Sequence, residues 1–560
     1  MIRTTVLALA LTSLLGGTAQ AATTPPEFVG TDAPMASNAI YFVMTDRFVN
    51  GDPSNDQRNQ GGAHRTFDIP VAGAPKGESA NIGYLGGDFR GVLDNAAYIR
   101  GMGFGAVWIT PIVDNPNEAF TGGDPVSWGS KFTDRGKTGF HGYWGVNFYK
   151  LDEHLPSKGL DFAQFTTAMR AQGLKTVLDI VANHGSPAFS MPKPQPMFGQ
   201  IFDQNGKLIA DQQNLPPYKL DPARNPLHRF YHSYDDLVQL SNNDDQNPAV
   251  LDYFVGAYNQ WVDQGADAFR IDTISHMSTT FWKQFAARIR AKHPGFFMFG
   301  EAFDYSPDNI GQYTWPQNGG ISLLDFPLRG RIAEVFEHQG SDYAQLLDRL
   351  YLTNGPYQNP YELVTFYDNH DMARLNASDH GFIDANNWLF TARGIPAIYY
   401  GSETGFERGK AEHQGNRNYY GQQRIDAAST SPIYRQLKRI ALLREKTPAL
   451  QRGLMLPLHF GGDQAAFYRV YQKGGVHQIA LVLLNKGDDA AQFDISDYLQ
   501  PGPWQPALGG AAIDVSEGGR LHTSVRAHDV QVYLLDAPAK RADLVAELTR
   551  LTQERSHPTH

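Results

Sequence analysis

Eight short apolar runs, separated by helix-like stretches, restrict the fold of this chain more than any other feature of its sequence. Regular alternation of strands and helices is typical of a parallel α/β structure, and eight such units can close into a barrel. The pattern therefore predicts an α/β fold of the (β/α)8 TIM-barrel type. The runs are AIYFVM (39–44), AVWI (106–109), TVLDIV (176–181), AFRID (268–272), FFMFGE (296–301), ISLLDF (321–326), ELVTFY (362–367) and PAIYY (396–400).

Changes of pattern along the chain divide it into segments. A long stretch rich in Pro, Gly, Asn and Gln follows the third run and predicts a subdomain inserted after the third barrel strand. Beyond about residue 455, alternating runs such as HQIALVLLN predict a C-terminal antiparallel β-sandwich. The predicted segments are a signal peptide (1–21), a linker (22–37), the barrel domain (38–455) with its insertion (about 185–250), the β-domain (456–536) and a helical tail (537–560).

The N-terminal sequence predicts export. Arg3 precedes the apolar stretch TTVLALALTSLLGG, and Ala19-Gln20-Ala21 has the small residues of a signal-peptidase site. The apolar stretch is too short to span a bilayer, so no membrane anchor is expected. The 560 residues include no cysteine, so disulfide bonds do not stabilise the protein. A monomer located in the periplasm or outside the cell is expected.

The charge distribution argues against nucleic acid as a partner. The formal net charge is −10, and no run of Lys and Arg is long enough to form a basic stripe. Aromatic residues make up 12% of the chain, which suits sugar binding because an aromatic face can stack on a sugar ring. Most large aromatic side chains nevertheless fill protein cores, so no single one identifies a sugar site.

Three acidic residues stand at the ends of predicted barrel strands. Asp272 ends AFRID, Glu301 ends FFMFGE, and Asp371 follows ELVTFY within the block FYDNHD. Barrel enzymes gather their reactive groups at the carboxyl ends of the strands, so these side chains are expected to share one pocket. Two opposed carboxyl groups are the reactive parts of most glycosidases. The sequence therefore predicts an enzyme that cleaves or transfers sugars.

Four sequence blocks, in a fixed order, connect the chain with a known family. They are DIVANH (179–184), FRIDTISHM (269–277), FGEAF (299–303) and FYDNHD (366–371), accompanied by TDRFVNGDPSND (45–56), FHGYW (140–144) and GIPAIYYGSE (394–403). Together they resemble the α-amylase family of retaining glycoside hydrolases, above all cyclodextrin glucanotransferases and related bacterial α-amylases. The resemblance extends over residues 38–530 and implies an α-glucan substrate.

The resemblance implies a role for each side chain at the predicted centre. It makes Asp272 the nucleophile, Glu301 the acid/base and Asp371 the third acid, which holds the substrate and stabilises the transition state. Arg270 lies two residues before Asp272, so both point to the same side of their strand. Roles in binding the substrate are implied for Tyr143, His184, Arg270, His276 and His370.

Oxygen-bearing residues crowd a loop near the start of the barrel and predict a bound Ca²⁺, although a plain Asx-turn loop is the alternative. The resemblance implies a second calcium site containing Asn183 and the main-chain carbonyl of His276. Gln239 stands where the family has an aspartate, and the loss of that carboxylate predicts a weak second site. The ligands implied for the first site are Asn50, Asp52, Asn55, Asp56, Gly86 and Asp88.

Two threonines bear on the kind of reaction. Thr273, directly after Asp272, resembles enzymes that act on α-1,4 rather than α-1,6 links, and Thr279 replaces an aromatic residue of glucanotransferases. The favoured interpretation is a hydrolase of α-1,4-glucosidic bonds in starch, maltodextrins or related glucans. The alternatives are an α-glucan transglycosylase, a hydrolase specific for cyclodextrins or maltooligosaccharides, and a sugar-binding protein without catalysis.

Overall fold

The computed structural model describes residues 26–61, 65–237, 239–338 and 340–556. The predicted signal peptide (1–21) and the first residues of the predicted linker lie outside this part of the chain. Among the described residues, no helix combines the length and the apolar character that crossing a membrane requires.

Eight parallel strands form the predicted barrel. They are Ile40–Val43 (β1), Ala106–Ile109 (β2), Lys175–Ile180 (β3), Ala268–Ile271 (β4), Phe297–Gly300 (β5), Ser322–Leu323 (β6), Val364–Thr365 (β7) and Ile395–Tyr399 (β8). Each pairs with its neighbours in the order β6-β5-β4-β3-β2-β1-β8-β7, and a bridge between Leu324 and Val364 joins the two ends of this order. The predicted fold class is thereby confirmed.

Helices follow the strands and have local sequence signals at their ends. Asp161 and Gln164 form a capping box at the N-terminus of Phe162–Ala171 (α4), and the Asn247 side chain caps Pro248–Asp263 (α5), where Pro248 occupies the first turn. The α-helices are Thr45–Phe48 (α1), Phe89–Asp94 (α2), Ala96–Gly101 (α3), Phe162–Ala171 (α4), Pro248–Asp263 (α5), Thr279–Lys292 (α6), Pro307–Gly311 (α7), Phe326–Glu337 (α8), Asp379–Thr391 (α9), Gln422–Ala427 (α10), Pro432–Glu445 (α11), Pro448–Arg452 (α12) and Ala542–Ser556 (α13).

Short 3₁₀ helices occupy many of the connections. One of them directly follows β4 and ends at His276, a residue with an implied role in substrate binding. They span Pro34–Ser37, Pro217–Lys219, Pro226–His228, Ile274–His276, Gln312–Thr314, Pro316–Asn318, Tyr343–Arg349, Pro360–Glu362, Ser402–Thr404, Glu412–Gln414 and Ala428–Thr430.

The segment between β3 and α5 contains two small antiparallel sheets. His184–Pro187 pairs with Leu240–Asn242, and Gln200–Phe202 pairs with Leu208–Asp211. A third two-stranded sheet pairs Val113–Asp114 with Asn147–Leu151 in the connection after β2. These connections all leave the carboxyl ends of barrel strands, where they build walls around whatever lies at the top of the barrel.

The C-terminal domain is an antiparallel β-structure. Six strands form one sheet in the order β9-β10-β11-β16-β13-β14, and β12 pairs with β15 in a second sheet. Its first strand begins at Leu454, directly after α12. The strands are Leu454–Gly461 (β9), Gln464–Lys473 (β10), Val476–Asn485 (β11), Ala491–Ile495 (β12), Gly502–Pro506 (β13), Ile513–Val515 (β14), Leu521–Val525 (β15) and Asp529–Leu535 (β16).

The two domains share one hydrophobic core. The rings of Trp388 on α9 and Phe467 on β10 lie 5.9 Å apart, and fully buried Arg469 donates a 2.8 Å hydrogen bond to the Thr391 carbonyl. The tail helix α13 buries Leu544, Leu548 and Leu551, as its spacing predicts. A continuous apolar interface of this kind holds the C-terminal domain firmly against the barrel.

Candidate active site

The structure brings the three predicted acids together at the carboxyl ends of the strands. Asp272 directly follows β4, Glu301 directly follows β5, and Asp371 lies in the connection after β7. One carboxylate oxygen from each side chain lies within 4.8 Å of one from each of the other two. Groups that are distant in the sequence therefore form one acidic cluster at the top of the barrel.

The backbone around Asp272 and Glu301 continues the barrel ladder. The Asp272 amide donates to the Ile180 carbonyl at 2.9 Å, and the Glu301 amide donates to the Ile271 carbonyl at 2.8 Å. Thr273 then turns the chain with a φ of 49°, an uncommon conformation for a β-branched residue. The segment after Thr273 can pass over β5 because residue 300 is glycine. A Cβ at this position would lie only 2.6 Å from the Ile274 side chain. Both acids are therefore placed by backbone rather than by mobile loops.

Arg270 is the cation at the centre of the cluster and is fully buried. Its Nη1 donates to Asp272 at 2.7 Å and to Asp179 at 2.9 Å, and its Nη2 lies 2.7 Å from Glu301 Oε2. Arg270 and Asp179 are cross-strand partners on β4 and β3, which fixes their contact by register. One guanidinium therefore orients three carboxyl groups at once.

Asp179 is a site residue that the sequence prediction omitted. Its carboxylate also accepts hydrogen bonds from Trp108 Nε1 at 2.9 Å and from the Tyr143 hydroxyl at 2.8 Å. The available signal was an acid in the middle of the apolar run TVLDIV, since an ionisable residue in a buried strand needs a partner. Asp179 links the aromatic wall of the pocket to Arg270.

The environment of Glu301 favours its protonated form. Burial raises the pKa of Glu301 well above its ordinary value; the Arg270 charge opposes this shift, and the charges of Asp371 and Asp272 add to it. Its Oε2 faces Arg270, whereas the buried Oε1 has no hydrogen-bond partner among the residues that the structure describes. Glu301 thus has the properties of an acid with one oxygen free for a ligand.

Asp371 has the opposite environment. Its side chain is 30% exposed and lies 3.0 Å from His370 Nε2 and 2.7 Å from Arg417 Nη2. Burial would raise the pKa of Asp371, but His370 and Arg417 outweigh that effect and hold it below its ordinary value. Arg417 is in turn paired with Glu412 at 2.8 Å. Asp371 is therefore a carboxylate over a wide pH range.

Aromatic and imidazole rings line the pocket beside the acids. The rings of Tyr143 and His370 stack with centroids 5.2 Å apart, and His184 Nε2 lies 4.0 Å from Asp272 Oδ2. Burial lowers the pKa of both His184 and His370, so each imidazole is neutral near neutral pH and carries one N–H donor. Neutral donors next to charged acceptors suit the hydroxyl groups of a polar, uncharged ligand.

The predicted calcium loop brings several oxygen atoms together. The side-chain Nδ2 of Asn50 donates to Asp56 Oδ1 at 2.7 Å, and a Cβ at Gly86 would approach both side chains to 2.5 Å or less. The Asp88 carboxylate accepts from the backbone amides of Gly51, Asp52 and Gly91 and thereby joins the loop to the start of α2. The buried Oδ1 atoms of Asn50 and Asn55 have no partner within the described part of the chain. This donor set fits Ca²⁺.

The second predicted calcium site differs from its prediction at one residue. Asp236, not Gln239, lies beside the other residues: its carboxylate accepts from Asn183 Nδ2 at 3.2 Å and contacts His276 Nδ1 at 2.6 Å. Asn183 Nδ2 also donates to the His276 carbonyl at 3.1 Å. Gln239 adopts a φ of 63° and its side chain turns toward Gly123. Asp236, three positions before Gln239, thus supplies the carboxylate that the sequence analysis expected at position 239.

The fold and the site together define a (β/α)8-barrel enzyme with a cluster of carboxyl groups at the carboxyl ends of its strands. Comparison with known proteins agrees. A model of the α-amylase catalytic domain matches residues 42–439. This chain therefore belongs to the α-amylase family.

Relatives in this family carry two kinds of name. A cyclomaltodextrin glucanotransferase of Niallia circulans is 30% identical over 546 residues, covering 92% of this chain and 69% of the relative. An α-amylase of the same organism is 28% identical over 545 residues, covering 92% of this chain and 94% of the relative. A solved cyclomaltodextrin glucanotransferase with a three-domain ABC organisation has a TM-score of 0.70 at 29% identity, covering 89% of this chain and 99% of that one.

The Asp179→Asn variant should be less stable than the wild type by about 1–3 kcal/mol. An asparagine cannot accept from Arg270, Trp108 and Tyr143 together, because its NH₂ group faces donors. The free energy of unfolding from denaturant titration measures the effect. Asp94→Asn, at an exposed ion pair on α2 with Arg90 3.9 Å away, is the control and should change it by less than about 0.5 kcal/mol. Equal stability of the Asp179→Asn variant and the wild type would contradict the role of Asp179.

Proposed function

We propose that this protein hydrolyses α-1,4-glucosidic bonds in starch, maltodextrins or related α-glucans with retention of anomeric configuration. The observation that carries the proposal is the convergence of Asp272, Glu301 and Asp371, with one oxygen of each within 4.8 Å of the others. Inverting enzymes hold their two carboxyl groups about 6.5–9.5 Å apart to admit a water molecule, whereas retaining enzymes hold them about 5–5.5 Å apart. The compact cluster supports the retaining arrangement.

In this proposal Asp272 is the nucleophile. Arg270 holds Asp272 Oδ1 at 2.7 Å, which leaves Oδ2 on the side of His184 for attack on the anomeric carbon. Attack forms a covalent glycosyl-enzyme bond as the glycosidic C–O bond breaks. Water later displaces the Asp272 carboxylate from the same carbon, so two inversions give net retention.

Glu301 supplies the proton that the leaving sugar oxygen needs. Its raised pKa keeps it protonated near neutral pH, and its partnerless Oε1 is available to the leaving group. After that proton has left, Glu301 is a carboxylate stabilised by Arg270. It then accepts a proton from the water that attacks the intermediate, and the cycle closes.

Asp371 and the surrounding rings hold the sugar in this proposal. Asp371 and His370 would bind adjacent hydroxyl groups, and the negative charge of Asp371 would stabilise the developing oxocarbenium ion. Tyr143 presents a ring face to the pocket while its hydroxyl is fixed by Asp179. His184 would donate to a hydroxyl on the Asp272 side. The His276 side chain is paired with Asp236 and would lie at the edge of the pocket rather than at its centre.

The choice of acceptor separates the hydrolase from the transglycosylase. Thr279 offers little apolar surface to a sugar acceptor and favours water. Phe303 lies two residues after Glu301, and its ring centroid is 4.7 Å from that of Phe326. The Phe303 ring is exposed, which favours a sugar acceptor and supports the transglycosylase as the second candidate function. The names of the relatives include both activities. Hydrolysis is preferred because Thr279 stands where glucanotransferases have an aromatic residue, which leaves less apolar surface for a sugar acceptor.

Two calcium ions belong to the proposal. The first would be held by Asn50, Asp52, Asn55, Asp56, Gly86 and Asp88, and the second by Asn183, Asp236 and the His276 carbonyl. Bound Ca²⁺ supplies charge that neutralises these oxygens and rigidifies the loops that carry them. Because Asn183 precedes His184 and His276 follows β4, the second ion would fix one wall of the pocket.

We also propose that the protein acts in the periplasm or outside the cell. The support is the signal-peptide pattern of residues 1–21.

The Glu301→Gln variant should lose about 10²–10⁴-fold in kcat on maltooligosaccharides because proton donation is removed. A substrate whose leaving group needs no proton, such as α-maltosyl fluoride, should recover much of that loss, whereas the Asp272→Asn variant should stay inactive on both. The wild-type kcat/KM should fall as the pH rises through the raised pKa of Glu301. The control is Asp308→Asn, at an exposed acid on the neighbouring helix α7, which should retain activity. Normal turnover by folded Asp272→Asn protein would refute the assignment.

Product analysis distinguishes hydrolysis from transfer. Maltoheptaose and soluble starch are expected to give linear maltooligosaccharides from the earliest times, each released as the α-anomer when followed by NMR. Cyclic products that dominate at early times would contradict the hydrolase and identify the protein as a transglycosylase. Initial release of the β-anomer would overturn the retaining mechanism. Tight maltooligosaccharide binding without turnover would identify a sugar-binding protein instead.

Removal of calcium by EGTA should lower the midpoint of thermal unfolding. Ca²⁺ at about 100 times its Kd would restore roughly 2.7 kcal/mol per site by mass action. The Asp56→Asn and Asp236→Asn variants should each lose the contribution of one site, and the double variant should lose both. Asp94→Asn is again the control and should respond as the wild type does. A wild-type midpoint that is unchanged in EGTA would exclude calcium as a stabilising ligand.

A further inference from the structure

A polar cavity of about 210 Å³ lies where α9 of the barrel meets the C-terminal domain, away from the acidic cluster at the top of the barrel. His380 and Asp384 reach it from α9, Asp488 from the connection between β11 and β12, and His528 from the turn before β16. The proposed glucan chemistry uses none of these four side chains. Two imidazoles and two carboxylates from different domains thus converge on one cavity.

The four side chains are in contact. His528 Nδ1 lies 2.7 Å from Asp384 Oδ2, and His528 Nε2 lies 3.0 Å from Asp488 Oδ1. The His380 ring stacks on the His528 ring with centroids 4.0 Å apart. One nitrogen from each histidine and one oxygen of Asp488 all lie within 4.8 Å of one another.

Asp384 has the position of the carboxylate that orients a metal-binding histidine. Its side chain is 4% exposed, and its contact with Nδ1 orients the His528 ring so that Nε2 points toward Asp488 and the cavity. The other oxygen of Asp384, Oδ1, is buried and has no hydrogen-bond partner among the described residues. A buried carboxylate oxygen without a partner is costly unless a ligand or a water molecule reaches it.

The charges around the cavity also favour a cation. Lys486 Nζ lies 2.7 Å from Asp463 Oδ1 and compensates the charge of that carboxylate. Asp384 and Asp488 lie on opposite nitrogens of the His528 ring. A divalent cation that takes the place of the proton on His528 Nε2 would therefore stand next to the Asp488 carboxylate. His380 and Asp488 are exposed at its mouth, so an ion can enter without any change of fold.

We propose that His380, His528 and Asp488 form a binding site for a divalent transition metal ion of the Zn²⁺ class that links α9 to the C-terminal domain. Two imidazole nitrogens and one carboxylate suit Zn²⁺ and its neighbours rather than Ca²⁺ or Mg²⁺, which take oxygen ligands. Three protein ligands leave a fourth position for water. Asp384 is the positioning residue that orients His528.

Two of the three proposed ligands already have a separation that suits a bound metal ion, and the third reaches it by rotation of its side chain. Ligands about 2.0–2.1 Å from a tetrahedral ion lie roughly 3.3–3.4 Å from one another. His528 Nε2 and Asp488 Oδ1, 3.0 Å apart, are already near that separation. His380 is exposed and can complete the set by rotating its side chain.

The test is titration of the full-length protein with Zn²⁺ by calorimetry, with Ca²⁺ in excess to fill oxygen-ligand sites. The wild type should bind one Zn²⁺ and show a higher thermal midpoint when loaded. His380→Ala and Asp488→Asn should each weaken binding at least about tenfold, and Asp384→Asn should weaken it by a similar factor through the orientation of His528. Substitution with Co²⁺ should give visible absorption bands that both ligand variants lose.

The matched control is His522→Ala, which breaks another exposed histidine–aspartate pair of the same domain, with Asp494 3.2 Å away. It should bind Zn²⁺ as the wild type does. Because the acidic cluster of the barrel could also attract a metal, the Glu301→Gln variant is titrated as well and should bind normally. Unchanged affinity in His380→Ala and Asp488→Asn, or binding that is lost in Glu301→Gln instead, would overturn the proposal. Failure of the proposed glucan chemistry would leave these results unaffected.

Discussion

The buried charge of Arg270 is the constraint on which the rest of the active site depends. A guanidinium without solvent in the interior of a barrel is very costly unless carboxylates surround it. Asp179 and Asp272 provide that compensation at 2.9 and 2.7 Å, and Glu301, for which burial favours the protonated form, adds an oxygen at 2.7 Å. Because Asp179 lies on β3 and the other two acids directly follow β4 and β5, strand register fixes the spacing of the acids. The fold and the chemistry therefore share one electrostatic requirement.

The surroundings of each acid, rather than its residue type, separate their chemical roles. Glu301 and Asp371 belong to one cluster, yet burial and negative neighbours raise the pKa of Glu301, whereas His370 and Arg417 lower the pKa of Asp371. Groups whose environments push their pKa values apart can act as acid and as anion at the same pH. Arg270 and Arg417 thus hold different acids of the cluster. Arg270 orients Asp272 and Glu301 at the strand ends, and Arg417 fixes Asp371 in the connection after β7.

Sequence reasoning succeeded where a local pattern determines the outcome. Apolar runs predicted the eight strands, and their ends predicted which acids meet, because parallel strands share one carboxyl edge. Contacts that depend on strand register or on the path of a long connection could not be predicted from the sequence. Asp179 meets Arg270 through pairing of β3 with β4, and Arg417 reaches Asp371 across a long connection. Asp236, three positions before Gln239, is the acid that lies beside Asn183 and His276, and only the path of the loop determines which acid reaches them.

In the proposed mechanism, groups outside the barrel strands decide whether water or a sugar accepts the glycosyl group. The strands fix Asp272, Glu301 and Arg270, so the proposed cleavage and the alternative transfer would share the same first step and the same covalent intermediate. The second step depends on how long a sugar occupies the acceptor side, which exposed aromatic surface prolongs. Phe303 provides such surface and Thr279 does not. Since either outcome needs only side-chain changes in loops, one barrel can support both hydrolases and transferases, and the names of the relatives include both.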